Sequence, residues 1–184
     1  MKNIDKLIET FFEGMGYNLK VKQSDEFAYY NSGLITYTLH DTAYNDIGFA
    51  KYIRKHYKNI PECSLFTLSL LHELGHHITM PTLNRKKWKK AVAIKKKIEN
   101  VTVNSMEKAI AIQMIYSNLY DERKATDKAI ELLKKNYKWV LRFEYFLHEE
   151  LKTRAPSNAA LLLCYFYKGP VRSSGRGRVS PGAR

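Results

Sequence analysis

Residues 65–80, LFTLSLLHELGHHITM, place two imidazoles and a carboxylate inside an otherwise apolar run. Leu65, Phe66, Leu68, Leu70, Leu71, Leu74 and Ile78 would bury a helix here on most of its sides. Polar groups in such surroundings are costly unless something satisfies them. On a helix, His72 and His76 lie on one face, one turn apart, where both can grip a single ion. Glu73 lies next to that face, so its carboxylate can reach a water rather than the ion itself, which is where a general base belongs. Gly75 breaks the rule that helix interiors avoid glycine, at about 1 kcal/mol relative to alanine. A close approach by neighbouring backbone would offset that loss. The plainer reading is a core helix whose histidines bond to backbone; the leucine-rich burial and the internal glycine favour the metal.

A catalytic zinc takes three protein ligands and keeps a position for water, so a third donor is expected. The segment YSNLYDERKATDKAIELL, residues 116–133, supplies one. Glu122, Ala125 and Ala129 fall on one helical face, with small residues where a second helix can approach the HELGH helix and Glu122 projecting toward the ion. A register error of one residue would bring in Asp121 or Asp127 instead, and His148 in YFLHEE is a further alternative. Two imidazoles and a carboxylate suit Zn2+ best in a tetrahedral site. His77 points about 100° away from His76 on a helix, toward solvent or a cleft wall. His40 ends the LITYTLH run and is either an ordinary strand-end histidine or part of a cleft, and His56 belongs to the solvated RKHYK segment. Among thirteen tyrosines, Tyr116 and Tyr120 lie nearest Glu122 in sequence; any tyrosine could donate to an oxyanion, and none is singled out.

HELGH, followed downstream by Glu-x-x-Ala at 122–125, another alanine four residues on and then a Leu-Leu pair, resembles the ImmA/IrrE-like metallopeptidases of the zincin class. LFTLSLLHELGHHIT and LYDERKATDKAI are also similar to the corresponding segments of small phage-encoded proteins related to that group. The resemblance covers roughly residues 60–135. It implies that His72, His76 and Glu122 are zinc ligands, that Glu73 is the catalytic acid/base, and that the substrate is a cytoplasmic protein such as a phage or mobile-element regulator. It also implies that an extended peptide pairs with an edge of the sheet, strand 34–39 being the expected edge. Thr126 stands where the family often carries Asn or Asp, which leaves open what orients a ligand histidine.

Around this motif, the pattern is α+β: a mostly helical minimal zincin-like domain with a small N-terminal antiparallel sheet. Ile4, Leu7, Ile8, Phe11 and Phe12 repeat at helical spacing until Gly14 and Gly16 punctuate the chain. NLKVK, EFAYY and LITYTLH then read as short strands, with a turn at Asn31–Gly33. Asp41 or Thr42 is expected to cap a helix reaching about Tyr57, and Pro61 to open the motif helix through about Met80. NRKKWKKAVAIKKKIEN, residues 84–100, predicts a helix with eight basic residues and a narrow stripe of Trp88, Val92 and Ile98. Helix continues with breaks from about Ser105 to Lys152, and Pro156 opens a last apolar helix. One domain over 1–168 and a disordered basic tail over 169–184 are expected, the tail holding Arg172, Arg176, Arg178 and Arg184 and no acid.

The whole chain carries 31 basic and 18 acidic residues, a net +13, enough to attract nucleic acid or an acidic protein. Cys63 and Cys164 are too few and too far apart for a disulfide framework or a thiolate metal cluster. The longest apolar run, AALLLCYFY at 159–167, is too short to span a bilayer. The N-terminal segment alternates charged and apolar residues, so no signal peptide, no membrane partner and a cytoplasmic location are expected. No helix-turn-helix pattern stands out. Two functions remain in play. One is a zinc metallopeptidase acting on a protein or peptide. The other is a non-catalytic zincin-like binding module using its basic surface on nucleic acid or an acidic protein, and Glu73→Gln separates the two.

Overall fold

The computed structural model describes residues 4–30, 32–39 and 43–154. His40, the Asp41 and Thr42 caps, Cys164, the helix expected from Pro156 and the basic tail lie outside them. The described chain is mostly helical, with a three-stranded sheet near its beginning, as the sequence pattern predicts.

Helix α1 (Ile4–Glu13) buries Ile4, Ile8, Phe11 and Phe12, the set picked out by their spacing. It ends where Tyr17 N–H reaches the Phe12 carbonyl and Gly16 N–H the Glu13 carbonyl. That paired closure needs a left-handed residue, and Gly16 supplies it at φ 91°. Strands β1 (Lys20–Gln23), β2 (Ala28–Tyr30) and β3 (Leu34–Tyr37) follow.

The sheet is mixed, not antiparallel. Its order is β1-β3-β2, with β1 parallel to β3 (Val21 opposite Ile35) and β2 antiparallel to it (Tyr29 opposite Ile35). β2 and β3 form the tight hairpin expected at Asn31–Gly33, but β1 pairs on the far side of β3 instead of with β2. Strand 34–37 is therefore the centre and has no free edge, which corrects its assignment as the peptide-pairing strand. The cause is visible in burial: Ile35, Thr36 and Tyr37 are all buried, as befits a strand covered on both faces.

Helix α2 (Ala43–His56) leads by way of residues 57–64 to α3 (Leu65–Thr79). α3 begins at Leu65 rather than at Pro61, because the Ser64 hydroxyl accepts a hydrogen bond from Thr67 N–H at 3.1 Å and caps the first turn. The basic helix α4 (Arg85–Glu99) is capped by Asn84, whose Oδ1 accepts from Lys87 N–H at 3.1 Å. Its inward face differs from the expected stripe: only Ala91 is buried, and Trp88 is exposed. Helices α5 (Met106–Ser117), α6 (Tyr120–Lys135) and α7 (Tyr137–Arg154) complete the described chain.

The core lies between these layers. α1 packs on α7, with Phe11 and Phe143 rings stacked 4.0 Å apart. Val21, Ile35 and Tyr37 of the sheet join Leu68, Leu70, Leu71 and Leu74 of α3 and Ile130 and Leu133 of α6 in one continuous cluster. α3 is buried from Phe66 to His76 because it runs through the middle of this cluster.

Candidate metal centre

The site arises where α3 and α6 cross. Gly75 of α3 meets the backbone of α6: a Cβ at that position would lie 2.9 Å from the Ala125 carbonyl carbon and closer still to its oxygen. This is the close approach the glycine predicts. Ala125 and Ala129, both fully buried, form the facing surface, so the two backbones come near enough for short side chains to meet. Glu122, one turn before Ala125, points into the same seam.

His72 Nε2 lies 3.0 Å and His76 Nε2 3.3 Å from Glu122 Oε2. The three donor atoms all fall within 4.8 Å of one another, and the three residues are buried. Ligands bonded to a tetrahedral ion at about 2.0–2.1 Å stand about 3.3 Å apart, so both spacings match the edges of such a site. His72 packs edge-on to the Phe49 ring at 5.3 Å and to the His76 ring at 4.7 Å, which restrains its plane.

Thr126 fixes the histidine's chemistry. Its hydroxyl donates to the Glu122 carbonyl at 2.8 Å, committing its only proton. The same oxygen lies 3.1 Å from His72 Nδ1, so it accepts there and Nδ1 carries the hydrogen. A neutral His72 then presents a bare Nε2 lone pair to Glu122 Oε2. Two electron-rich atoms at 3.0 Å need a positive charge between them, which either a second proton on the imidazole or a bound metal ion can supply. Thr126 thus performs the orienting task that a carboxylate or carbonyl usually performs.

Glu73 is buried beside these groups and makes no hydrogen bond among the described residues. Burial pushes its carboxyl up from the ordinary value, with the neighbouring imidazoles pulling the other way and Glu122 adding to the rise. Burial also pushes Glu122 up, but hydrogen bonds and charge from His72 and His76 outweigh it and hold the carboxyl well below the usual range. For His76, burial works against the proton while Glu122 favours it and prevails, so its pKa is raised.

The competing third ligands fall elsewhere. Asp127 accepts a hydrogen bond from Tyr57 Oη at 2.6 Å, and His148 sits partly exposed on α7 beside Glu149. Asp121 is buried next to Glu122 but turned to Lys95, whose ammonium is 2.6 Å from Asp121 Oδ2 and 2.5 Å from Glu122 Oε1. His77 is outside the cluster, its Nδ1 3.1 Å from Tyr29 Oη of β2, and His56 lies against the Tyr52 ring. Tyr116 stands close to Glu122, with Lys95 Nζ 5.2 Å from its ring centre. Burial and the Glu122 charge raise its hydroxyl pKa. Sequence reading missed Lys95, submerged in a run of solvated lysines. Nothing in the sequence singles it out, since the burial of Ala91 one turn earlier is visible only in the structure.

No family model matches this chain, and no curated protein or solved structure is significantly similar to it.

Proposed function

We propose that the protein is a zinc-dependent metallopeptidase of the zincin type, similar to the ImmA/IrrE-like group, hydrolysing peptide bonds in a cytoplasmic protein such as a phage or mobile-element regulator. The observation that carries this reading is the convergence of His72, His76 and Glu122 within 4.8 Å, with Glu73 beside them buried and uncommitted. The donor set fits zinc: two imidazole nitrogens and one carboxylate oxygen. A zinc ion held there would supply Lewis acidity to a scissile carbonyl and to an attacking water.

The chain's own residues do the rest. His72 is held in the ligating tautomer by Thr126, and Glu122 turns Oε2 toward both imidazoles. Glu73, whose burial raises its affinity for a proton, takes one from the attacking water and returns it to the leaving amine. Phe49 and the leucines of α3 exclude bulk water from the inner side.

A second reading, a non-catalytic binding module, draws support from α4: of its eight basic residues only Lys95 forms an ion pair among the described residues. The deciding experiment is metal analysis of protein purified without chelator, together with cleavage of a peptide library by wild type, Glu73→Gln and His76→Ala. We expect one zinc in wild type and in Glu73→Gln, none in His76→Ala, and cleavage by wild type alone. Metal-free wild type, or a Glu73→Gln variant that cleaves as wild type does, would overturn the peptidase. Nucleic-acid binding by α4 that weakened steeply with salt in the wild type, without any cleavage, would establish the module instead.

A further inference from the structure

Glu122 divides its carboxylate between two cationic demands. Oε2 faces the two imidazoles, while Oε1 faces the Lys95 ammonium at 2.5 Å. Asp121, adjacent in sequence, is 2 % exposed; its Oδ2 lies 2.6 Å from the same ammonium, and its Oδ1 is buried with no hydrogen-bond partner among the described residues. Among the described residues, no other basic residue of α4 forms an ion pair. Lys95 instead reaches inward from a helix that buries little else, and its side chain is only 18 % exposed.

Two neighbouring carboxylates buried at the start of one helix repel each other and stay ionised together only with positive charge between them. The helix N-terminus contributes part of that charge. The ammonium contributes the rest, and it occupies a definite place: within contact of one oxygen from each carboxylate, on the opposite arm of Glu122 from the imidazoles. Paired-metal hydrolases put a second ion in this relation to the first, about 3.5–4 Å away, often across a shared carboxylate.

Resting on the metal-centre reading above, we propose that Lys95 is a built-in cation standing where a second metal ion would otherwise bind, and that it restricts the centre to one ion. Remove the ammonium and Glu122 Oε1, Asp121 Oδ2 and the unpartnered Asp121 Oδ1 form an all-oxygen pocket of the kind that takes Mn2+. An ion-pair role confined to stability would leave the number of bound ions unchanged, and that difference is measurable.

The test is metal content and titration calorimetry with Mn2+ on the full chain, for wild type, Lys95→Met, Lys95→Arg and Lys95→Met/Asp121→Asn. Methionine keeps the aliphatic stem, so packing along α4 is preserved. Wild type and Lys95→Arg should bind one ion, Lys95→Met two, and the double variant one again. In Lys95→Met, spin coupling between the two ions should also broaden away the six-line resonance of isolated Mn2+. One ion in wild type and in folded Lys95→Met would overturn this inference alone, whereas no ion in either would remove the metal centre and the inference with it. Should Lys95→Met not fold, Lys95→Gln decides in its place: two Mn2+ per chain are required of it, and a single ion in folded Lys95→Gln, or a second Mn2+ bound by wild type while Lys95 is in place, would refute the proposal.

Discussion

Gly75→Ala should weaken both the fold and the metal site, although it replaces a poor helix former with the best one. In an exposed helix the change would gain about 1 kcal/mol. Here the new methyl would sit 2.9 Å from the Ala125 carbonyl carbon and 3.0 Å from its Cα. Ordinary carbon contacts begin near 3.5 Å, so α6 must retreat by about 0.6 Å at that carbon and further at its oxygen. The obstacle is backbone in the middle of a helix, not a side chain that can swing aside. Overpacking of this kind costs about 1–3 kcal/mol, and a rigid obstacle belongs at or above the upper end, leaving a net loss of about 2 kcal/mol. For a chain of this size that is a fall of about 4–8 °C in Tm. Glu122 lies one turn from Ala125 on the displaced helix, so its separation from His72 and His76 grows as well, and zinc affinity should fall about tenfold or more. Thermal unfolding of the metal-stripped protein measures the first effect, and competition with a chromophoric chelator the second. A Gly75→Ala protein with unchanged or higher Tm and undiminished zinc affinity would mean that α3 and α6 do not meet at this point.

Thr126→Val removes the acceptor that holds His72 Nδ1–H and should lower zinc affinity about 10–100-fold, while Thr126→Ser, which keeps the hydroxyl, should restore most of it; equal affinities for the two variants would assign Thr126 to packing alone. A pH signature is also expected of Glu73 in the metal-free protein. Its folded carboxyl has a raised pKa, so its contribution to stability is fully present below the unfolded value and is lost as pH rises through the folded one. Glu73→Gln should therefore be more stable than wild type at pH 8, with the advantage shrinking toward pH 4. Urea unfolding at several pH values checks this, and a difference that stays constant with pH would show that Glu73 is not desolvated.

The legible parts of the sequence were those where one local pattern serves one purpose. Helix α1, the HELGH face and the Glu122–Ala125–Ala129 face could be read because spacing alone determines which side chains share a side. Gly75 was legible for a related reason: a residue that weakens its own helix points to a neighbour that needs the space. What could not be read depended on partners far along the chain. β1 lies beside β3 because the hairpin of β2 and β3 leaves that side of β3 open, and no property of residues 20–23 alone specifies it. Ser64 displaced Pro61 as the helix start because its hydroxyl had Thr67 N–H within reach, two competing start signals being three residues apart. Lys95 resembles its neighbours in α4 in every respect except where the helix is docked.

On the proposed reading, three donors suit a catalytic metal better than a structural one. Structural zinc sites close their coordination sphere with four protein ligands, commonly cysteines. Here, among the described residues, the cluster stops at three, and Cys63 is buried outside it. Glu73, which feels the charges of His72, His76 and Glu122, is not one of the donor set and has no hydrogen bond among the described residues. A largely buried carboxylate with no hydrogen-bond partner among the described residues is costly, and a fold that only needed rigidity at this crossing would gain by carrying there an apolar residue like the buried leucines of the same helix. On the proposed reading, a water and a substrate complete the donor set, and a carboxylate kept beside it with a raised affinity for a proton has a use there.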